Sequence, residues 1–273
     1  MGLVIQNRHL NQMVKRTFIP GLWRGFSSYL RVIPALFKHG LWPYQLLPAI
    51  VSLVLSVVML VVFYFLASLL SGALDSIVHA PWQWLDATMN YTVGILTFLI
   101  LATAFVFLHK HLVIVVLSPA LGKIAEATYR AVLADSSESP LSTSASISRS
   151  IRINFGNITK EVLINLGFLL CNFIPVAGSA IATGGLFLNQ ARFLGFGLMD
   201  FPLEHKGFSV PESMTFMKQR AGCATGLGAG YILLMLIPFV GWMFAPTFGT
   251  VAGTLAAIRE LDSPQTKPKV TGE

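Results

Sequence analysis

Long apolar runs, separated by short polar segments, run along most of this chain and predict helices that cross or enter a membrane. Residues 46–70 contain no charged side chain. A helix of that length, about 37 Å, exceeds the ~30 Å thickness of the hydrocarbon core. Residues 91–117 form a second apolar run, interrupted only by His109, Lys110 and His111 near its inner end. These runs predict two transmembrane helices, the second anchored at the headgroups by that polar triplet.

Residues 18–39 have the polar and apolar spacing of an amphipathic helix. Arg24, Arg31 and Lys38 fall on one side at about 100° per residue, and aromatic and aliphatic side chains fall opposite. Pro34 is expected to kink or split the helix. Because the segment is too polar to span a membrane, it is expected to lie flat in the interface. Packing into the groove of a partner helix is the alternative.

The phrase Ile-Pro-x-x-Gly occurs twice, each time between two short apolar runs, and predicts two helical hairpins over residues 162–191 and 221–258. Proline ends a helix, and glycine permits the reversal that follows. The arms are about 20 Å long in the first hairpin and about 25 Å in the second, short of the bilayer core, although the second is borderline. Both are therefore predicted to enter to half depth and return. Their predicted tip residues are Pro175, Gly178, Pro238 and Gly241.

Charge and composition support a membrane protein and set its orientation. Charged residues make up 11% of the chain, against about 25% in soluble domains. All 19 Lys and Arg residues lie outside 39–109, and Lys/Arg-rich loops are cytoplasmic. Both termini, a Ser-rich loop over 135–150 and a polar tail over 262–273 are therefore placed in the cytoplasm, with residues 71–90 outside. The net charge of +7 reflects this topology and does not predict a nucleic-acid partner.

Small residues in the second hairpin recur every four positions, which places them on one helix face. This spacing allows close helix packing in lipid; a glycine-lined conduit is the alternative. The residues are Gly222, Gly226 and Gly230 in the first arm, and Gly249 and Gly253 in the second.

Charged residues near the predicted spans have two interpretations each. Glu126 and Arg130, four residues apart, form either a helix-surface ion pair or a gate at the cytoplasmic mouth of a pore. Arg192, Asp200 and Glu204, between the hairpins, allow the same two interpretations.

Amide side chains inside the first hairpin are the other polar feature of the membrane segments. They serve either helix–helix hydrogen bonds or a pore lining. They are Asn165, Asn172, Asn189 and Gln190.

Catalytic signatures are missing from the sequence: there is no Walker A loop, nucleophile elbow, HExxH or paired-cysteine zinc spacing. No enzymatic activity, cofactor or metal is expected. A half-depth hairpin must have its tip sheltered by protein or water. We therefore expect a homo-oligomer in the lipid bilayer, or a water-filled cavity, and either points toward transport.

The order of several short motifs resembles the CysZ sulfate-permease family, which shares its domain with the eukaryotic etoposide-induced membrane proteins. The motifs are Gly40-Leu41 before the first span, LSPALGKIAE at 117–126, DFP at 200–202 and the two Ile-Pro-x-x-Gly turns. The resemblance extends over about residues 17–261. It implies a multi-pass, oligomeric protein of the bacterial inner membrane, with two spans and two half-penetrating hairpins, that takes up sulfate for cysteine synthesis.

One turn departs from this family pattern. In the transporters the turn before the first span typically reads Gly-x-Arg-Arg, and the arginines hold sulfate, whereas here Trp42 and Pro43 follow Gly40 and Leu41. Lys38, Gly40 and Leu41 are the predicted anion-binding residues, since backbone amides near a helix start bind anions. A non-transporting, membrane-shaping scaffold protein is the alternative function.

Overall fold

Helices, with no strand, make up the part of the chain that the computed structural model describes, which is residues 18–75, 83–134, 143–171, 174 and 177–262. The predicted all-α fold is confirmed. Two segments within these residues are long and apolar enough to cross a membrane, Trp42–Ala73 and Leu112–Leu133. In chain order the helices are α1 (18–27), a 3₁₀ turn (Ser28–Arg31), α2 (Val32–Lys38), α3 (Trp42–Asp75), α4 (Gln83–Leu133), α5 (Thr143–Leu170), α6 (Gly178–His205), α7 (Val210–Gln219), α8 (Ala221–Met235) and α9 (Val240–Leu261).

The N-terminal helical segment is interrupted six residues earlier than its proline suggests. The 3₁₀ turn begins at Ser28, and Pro34 lies in the first turn of α2, where proline disrupts no helical hydrogen bond. Ile19, Trp23 and Leu30 are exposed, while the opposite face of α1 packs against α8. One face of this N-terminal segment therefore exposes apolar side chains, and the opposite face packs against the rest of the protein.

The second long helix, α4, exceeds its predicted bounds at both ends. It has 51 residues, about 76 Å of helix, beginning before the predicted residue 91 and continuing past residue 117. Pro119 lies inside it, and Ser118 Oγ donates to Val115 O at 2.9 Å. Pro119 has no N–H, so it cannot donate the usual helical hydrogen bond to Val115 O. The Ser118 hydroxyl supplies a donor in its place.

Both hairpins reverse where the Ile-Pro phrases occur. The first consists of α5 and α6, each of 28 residues, so its helices continue well beyond the predicted bounds of 162–191. Because α5 begins at Thr143, residues 143–150 are helical, and the predicted Ser-rich loop is wrong for them; residues 135–142 lie outside the described residues, as do 263–273 of the tail. The second hairpin consists of α8 and α9, with 15 and 22 residues.

The helices pack so that both hairpins start from the same end of the molecule. Gly195 of α6 contacts Ala224, and Gly228 of α8 contacts Ala191, so α6 and α8 are antiparallel. The core lies among these two helices, α4 and α9. Its large buried members include Phe196, Leu198, Met199, Leu203, Leu227 and Tyr231.

The long helices continue past the turn between α8 and α9. Ser52 on α3 contacts Trp242 near the start of α9, and Trp42 packs on Phe248 further along it, with ring centroids 6.3 Å apart. The α8–α9 turn is therefore level with the middle of α3, which extends beyond it by about 25 Å. Tyr64 and Leu69, in this outer part of α3, are exposed.

Candidate functional site

The turn between α2 and α3 holds the three predicted anion-binding residues, and its amides are used to end α2. Gly40 has a φ of 63°, a conformation that favours glycine. Leu41 N–H donates to Leu36 O at 3.0 Å, and Gly40 N–H donates to Phe37 O at 3.5 Å. This is a glycine C-cap. These amides are thus committed within the turn, and of the three predicted residues Lys38, which is exposed, alone presents an available donor.

A line of polar side chains lies directly beyond this turn, on one face of α3 and on the facing side of α4. We name it the polar stripe: Trp42, Gln45, Ser52, Ser56 and His109. Apart from Trp42, its side chains are fully buried. Within the described part of the chain, Trp42 Nε1, both polar atoms of Gln45 and His109 Nδ1 have no hydrogen-bond partner. Buried polar atoms of this kind are rare in folded proteins.

The outer part of the polar stripe, farther from the α2–α3 turn, is hydrogen-bonded. Ser52 Oγ donates to Trp242 O at 2.7 Å, and Ser56 Oγ donates to Ser52 O at 2.7 Å. His109 Nε2 lies 2.6 Å from Ser56 Oγ, and its ring stacks on Phe105 at 5.6 Å. Both contacts are satisfied when Ser56 donates to Ser52 O and accepts from His109 Nε2, an assignment that leaves a lone pair on His109 Nδ1. The predicted anchoring of His109 at the headgroups is wrong, because this side chain is enclosed by helices.

The predicted gate residues have different contacts on α4 and α6. Glu126 and Arg130 form an ion pair of 2.6 Å on the partly exposed face of α4, as the surface interpretation expects. Arg192 is exposed, with its guanidinium 5.4 Å from the centroid of Phe196.

Arg149, which the sequence did not single out as a site residue, binds the carboxylates of α6. Its Nη2 and Nε donate to Asp200 at 2.7 and 3.0 Å, and Glu204 Oε2 lies 3.6 Å from Nε. Its guanidinium also donates to Phe208 O at 2.5 Å and Ser213 Oγ at 2.8 Å. Burial lowers the pKa of Arg149, but the hydrogen bond and charge of Asp200 and the charge of Glu204 outweigh it and raise that pKa. The charge pairing is thus structural, joining α5 and α6 to the start of α7.

A second buried carboxylate, Glu260 at the end of α9, is shared by two arginines. Arg24 Nε donates to it at 2.8 Å from α1, and Arg220 Nε lies 3.4 Å from its other oxygen at the start of α8. Arg220 also covers the ring of Phe216 at 4.0 Å. This ion-pair group fixes α1 to the base of the second hairpin.

The five glycines predicted for helix packing lie at close helix contacts. A Cβ at Gly222 or Gly226 would overlap backbone oxygens of α1, and one at Gly230 would overlap the ring of Tyr29. Gly249 faces side chains of Tyr231 and Leu198, and Gly253 faces the backbone oxygen of Leu198. The four-residue spacing of these glycines therefore marks helix–helix contacts within the chain.

Several amides of the second hairpin tip are hydrogen-bonded within the turn. Ile237 N–H donates to Leu234 O at 3.0 Å, and Gly241 N–H donates to Ile237 O at 2.8 Å. Phe239 has a φ of 59° and is exposed, as are Pro238 and Val240. The backbone of this turn therefore needs water as a hydrogen-bond partner less than the side chains of the polar stripe do.

The first hairpin tip is described in part. Gly178 N–H donates to Ile174 O at 3.1 Å, while Pro175 lies outside the described residues. Further from the tip, Asn189 Nδ2 donates to Asn165 Oδ1 at 2.8 Å, which fits the helix–helix interpretation of these two amides. Asn172 lies outside the described residues.

The family model for Sulfate transporter CysZ/Etoposide-induced protein 2.4 matches residues 28–246. This chain belongs to that family. A search of curated proteins finds no match.

The matched region of this CysZ/etoposide-induced family member includes the capped turn, the whole polar stripe and both hairpin tips. Trp42 and Pro43 stand where the resemblance implies arginines, so the described turn offers neutral groups in place of charged ones. The most unusual local chemistry is then one turn further along α3, at Gln45.

Proposed function

We propose that this CysZ/etoposide-induced family member conducts a small inorganic anion, with sulfate as the first candidate. The supporting observation is the polar stripe, since buried polar and ionisable side chains within membrane helices mark substrate and ion pathways. The family match supports sulfate as the first anion to test. Movement is driven by the gradient of the anion, as the chain has no Walker A loop for ATP.

The proposed topology is that of a bacterial inner-membrane protein with both termini in the cytoplasm and two hairpins that enter to half depth. The position of the α8–α9 turn beside the middle of α3 supports this depth. The exposed apolar side chains on the outer half of α3 and on α5 suit contact with lipid or with further copies of the chain in the bilayer. Lys38 at the capped turn is the proposed first contact for the anion.

Uptake of radiolabelled sulfate into liposomes containing the purified protein tests this proposal. We expect flux above that of protein-free liposomes, reduced by unlabelled sulfate and unaffected by an ATP analogue. Size-exclusion chromatography verifies assembly. A properly assembled protein that carries no labelled sulfate, phosphate or chloride would refute transport.

A membrane-shaping scaffold is the second candidate, favoured by a specific observation. The two amides of the Gly40 turn are occupied by the helix cap, and the family's arginines are missing there. Growth on sulfate distinguishes the candidates: expression in a sulfate-uptake mutant restores growth if the protein transports sulfate and fails if it is a scaffold.

A further inference from the structure

The polar stripe contains more unpartnered polar atoms than a packed helix interface tolerates. Gln45, Ser52 and Ser56 lie within about 40° of one another around α3. Gln45 is 0% exposed, yet within the described residues neither its Nε2 nor its Oε1 has a partner. Trp42 Nε1 and His109 Nδ1 are in the same condition. Three of these atoms lie within one turn of α3, and the fourth lies beside Ser56 further along the stripe, so the set points to several small polar occupants.

The chemistry of these atoms identifies the occupant. Trp42 Nε1 and Gln45 Nε2 are donors, whereas Gln45 Oε1 and His109 Nδ1 are acceptors. An anion accepts hydrogen bonds but donates none, so it satisfies the first two atoms and not the others. Water serves all four. The chemistry therefore suits water at Gln45 and at His109, with an oxyanion at the donor end.

The length of the stripe relates it to the membrane. From Gln45 to Ser56 is about 16 Å of helix, half of the ~30 Å core. Its outer end lies beside the start of α9, through the hydrogen bond of Ser52 to Trp242 O at 2.7 Å. The stripe thus leads from the α2–α3 turn to the level of the second hairpin tip.

We infer that the polar stripe is a hydrated path from the cytoplasmic end of α3 to the middle of the membrane, in which Trp42 Nε1 and Gln45 Nε2 bind a partly hydrated oxyanion. The inference rests on the proposed function for the direction and the anion. Neutral donors cannot repay the full dehydration of a doubly charged anion. The anion therefore keeps part of its water and passes through without tight binding.

Thiol labelling tests the water in the path, independently of transport. In a Cys171→Ala/Cys223→Ala background, Ser56→Cys is compared with Val57→Cys, its neighbour at the same depth. Val57 is exposed on the outer surface of α3. A small anionic thiosulfonate added to the cytoplasmic face of vesicles should modify the cysteine at 56 at least about tenfold faster, in line with the free-energy cost of bringing an ion into hydrocarbon. Equal rates at 56 and 57 would overturn the inference.

Gln45→Leu tests the donor end. The change replaces an unpartnered buried amide with an apolar side chain of similar size, so the variant should assemble and unfold at the same or a higher temperature. We expect sulfate flux to fall about tenfold or more, the effect of losing one hydrogen bond to a charged ligand. Unchanged flux in Gln45→Leu would contradict the anion contact.

The two measurements separate this inference from the proposed function. Fast labelling at 56 with no flux of any anion in the wild type would keep the hydrated path and reject transport. Normal flux with equal labelling at 56 and 57 and an unaffected Gln45→Leu variant would keep transport and reject the path.

Discussion

Ser52 on α3 donates a hydrogen bond of 2.7 Å to the backbone oxygen of Trp242 on α9. Pro246 lies four residues after Trp242 inside α9, and proline has no N–H to donate to that oxygen. The serine of one helix therefore supplies the hydrogen bond that the proline of another omits. The contact therefore joins α3 to α9 at the point where α9 lacks one of its own helical hydrogen bonds.

Ser52→Ala is expected to destabilise the protein by about 0.5–1.5 kcal/mol, because the hydrogen bond that joins α3 to Trp242 O is lost. The double-mutant cycle with Pro246→Ala provides the control, since alanine restores the helical N–H. In that background Ser52→Ala should cost clearly less. Thermal unfolding in detergent measures all four proteins, and an equal cost in both backgrounds would show that the oxygen is satisfied in another way.

Arg149→Met should be strongly destabilising, by about 3–5 kcal/mol, because Asp200 and Glu204 remain buried without their shared cation. Arg149→Lys should rescue little, since an ammonium cannot reproduce the paired hydrogen bonds to Asp200. Denaturant unfolding measures the effect. Arg152→Met, at an exposed position three residues along α5, is the matched control and should remain within about 0.5 kcal/mol of the wild type.

Gly226→Ala should loosen α1 from α8, because the added Cβ would overlap the backbone oxygen of Leu22. The expected cost is about 1–3 kcal/mol, as for other overpacked sites. Gly156→Ala is the control, as nothing lies within 4 Å of a Cβ there. Faster proteolysis near residue 22 in the first variant only would support the assignment, and similar behaviour of both variants would contradict it.

Half-depth insertion of the second hairpin predicts the environment of its tip. A spin label at Val240→Cys, in the background without Cys171 and Cys223, should collide more often with oxygen than with a water-soluble nickel complex. A label at Ala73→Cys, near the outer end of α3, provides the comparison and should favour the nickel complex. Reaction of the cysteine at 240 with an impermeant reagent added outside would instead make the hairpin a full crossing.

The sequence predicts the elements of this fold well, because membrane helices and their reversals depend on local apolar length, proline and glycine. The long helix α4 was underestimated, since Pro119 and charged residues after it are accommodated by partners elsewhere on the helix. The Arg149–Asp200 contact joins residues 51 positions apart, and no local pattern specifies such a pair.

The polar stripe carried a signal that was available in the sequence. Gln45, Ser52 and Ser56 are spaced by seven and four residues, so they share one face of an otherwise apolar helix. The contribution of His109 depends on how α4 is aligned against α3, and that alignment follows from packing, such as the edge-to-face contact of Phe63 with Phe105 at 5.5 Å. The sequence of α3 therefore predicts a polar face, but it does not predict that His109 of α4 lies beside it.

The continuation of α3 and α4 beyond the α8–α9 turn gives the two ends of the molecule unequal cross-sections. In a bilayer, such a shape displaces more lipid from one leaflet than from the other.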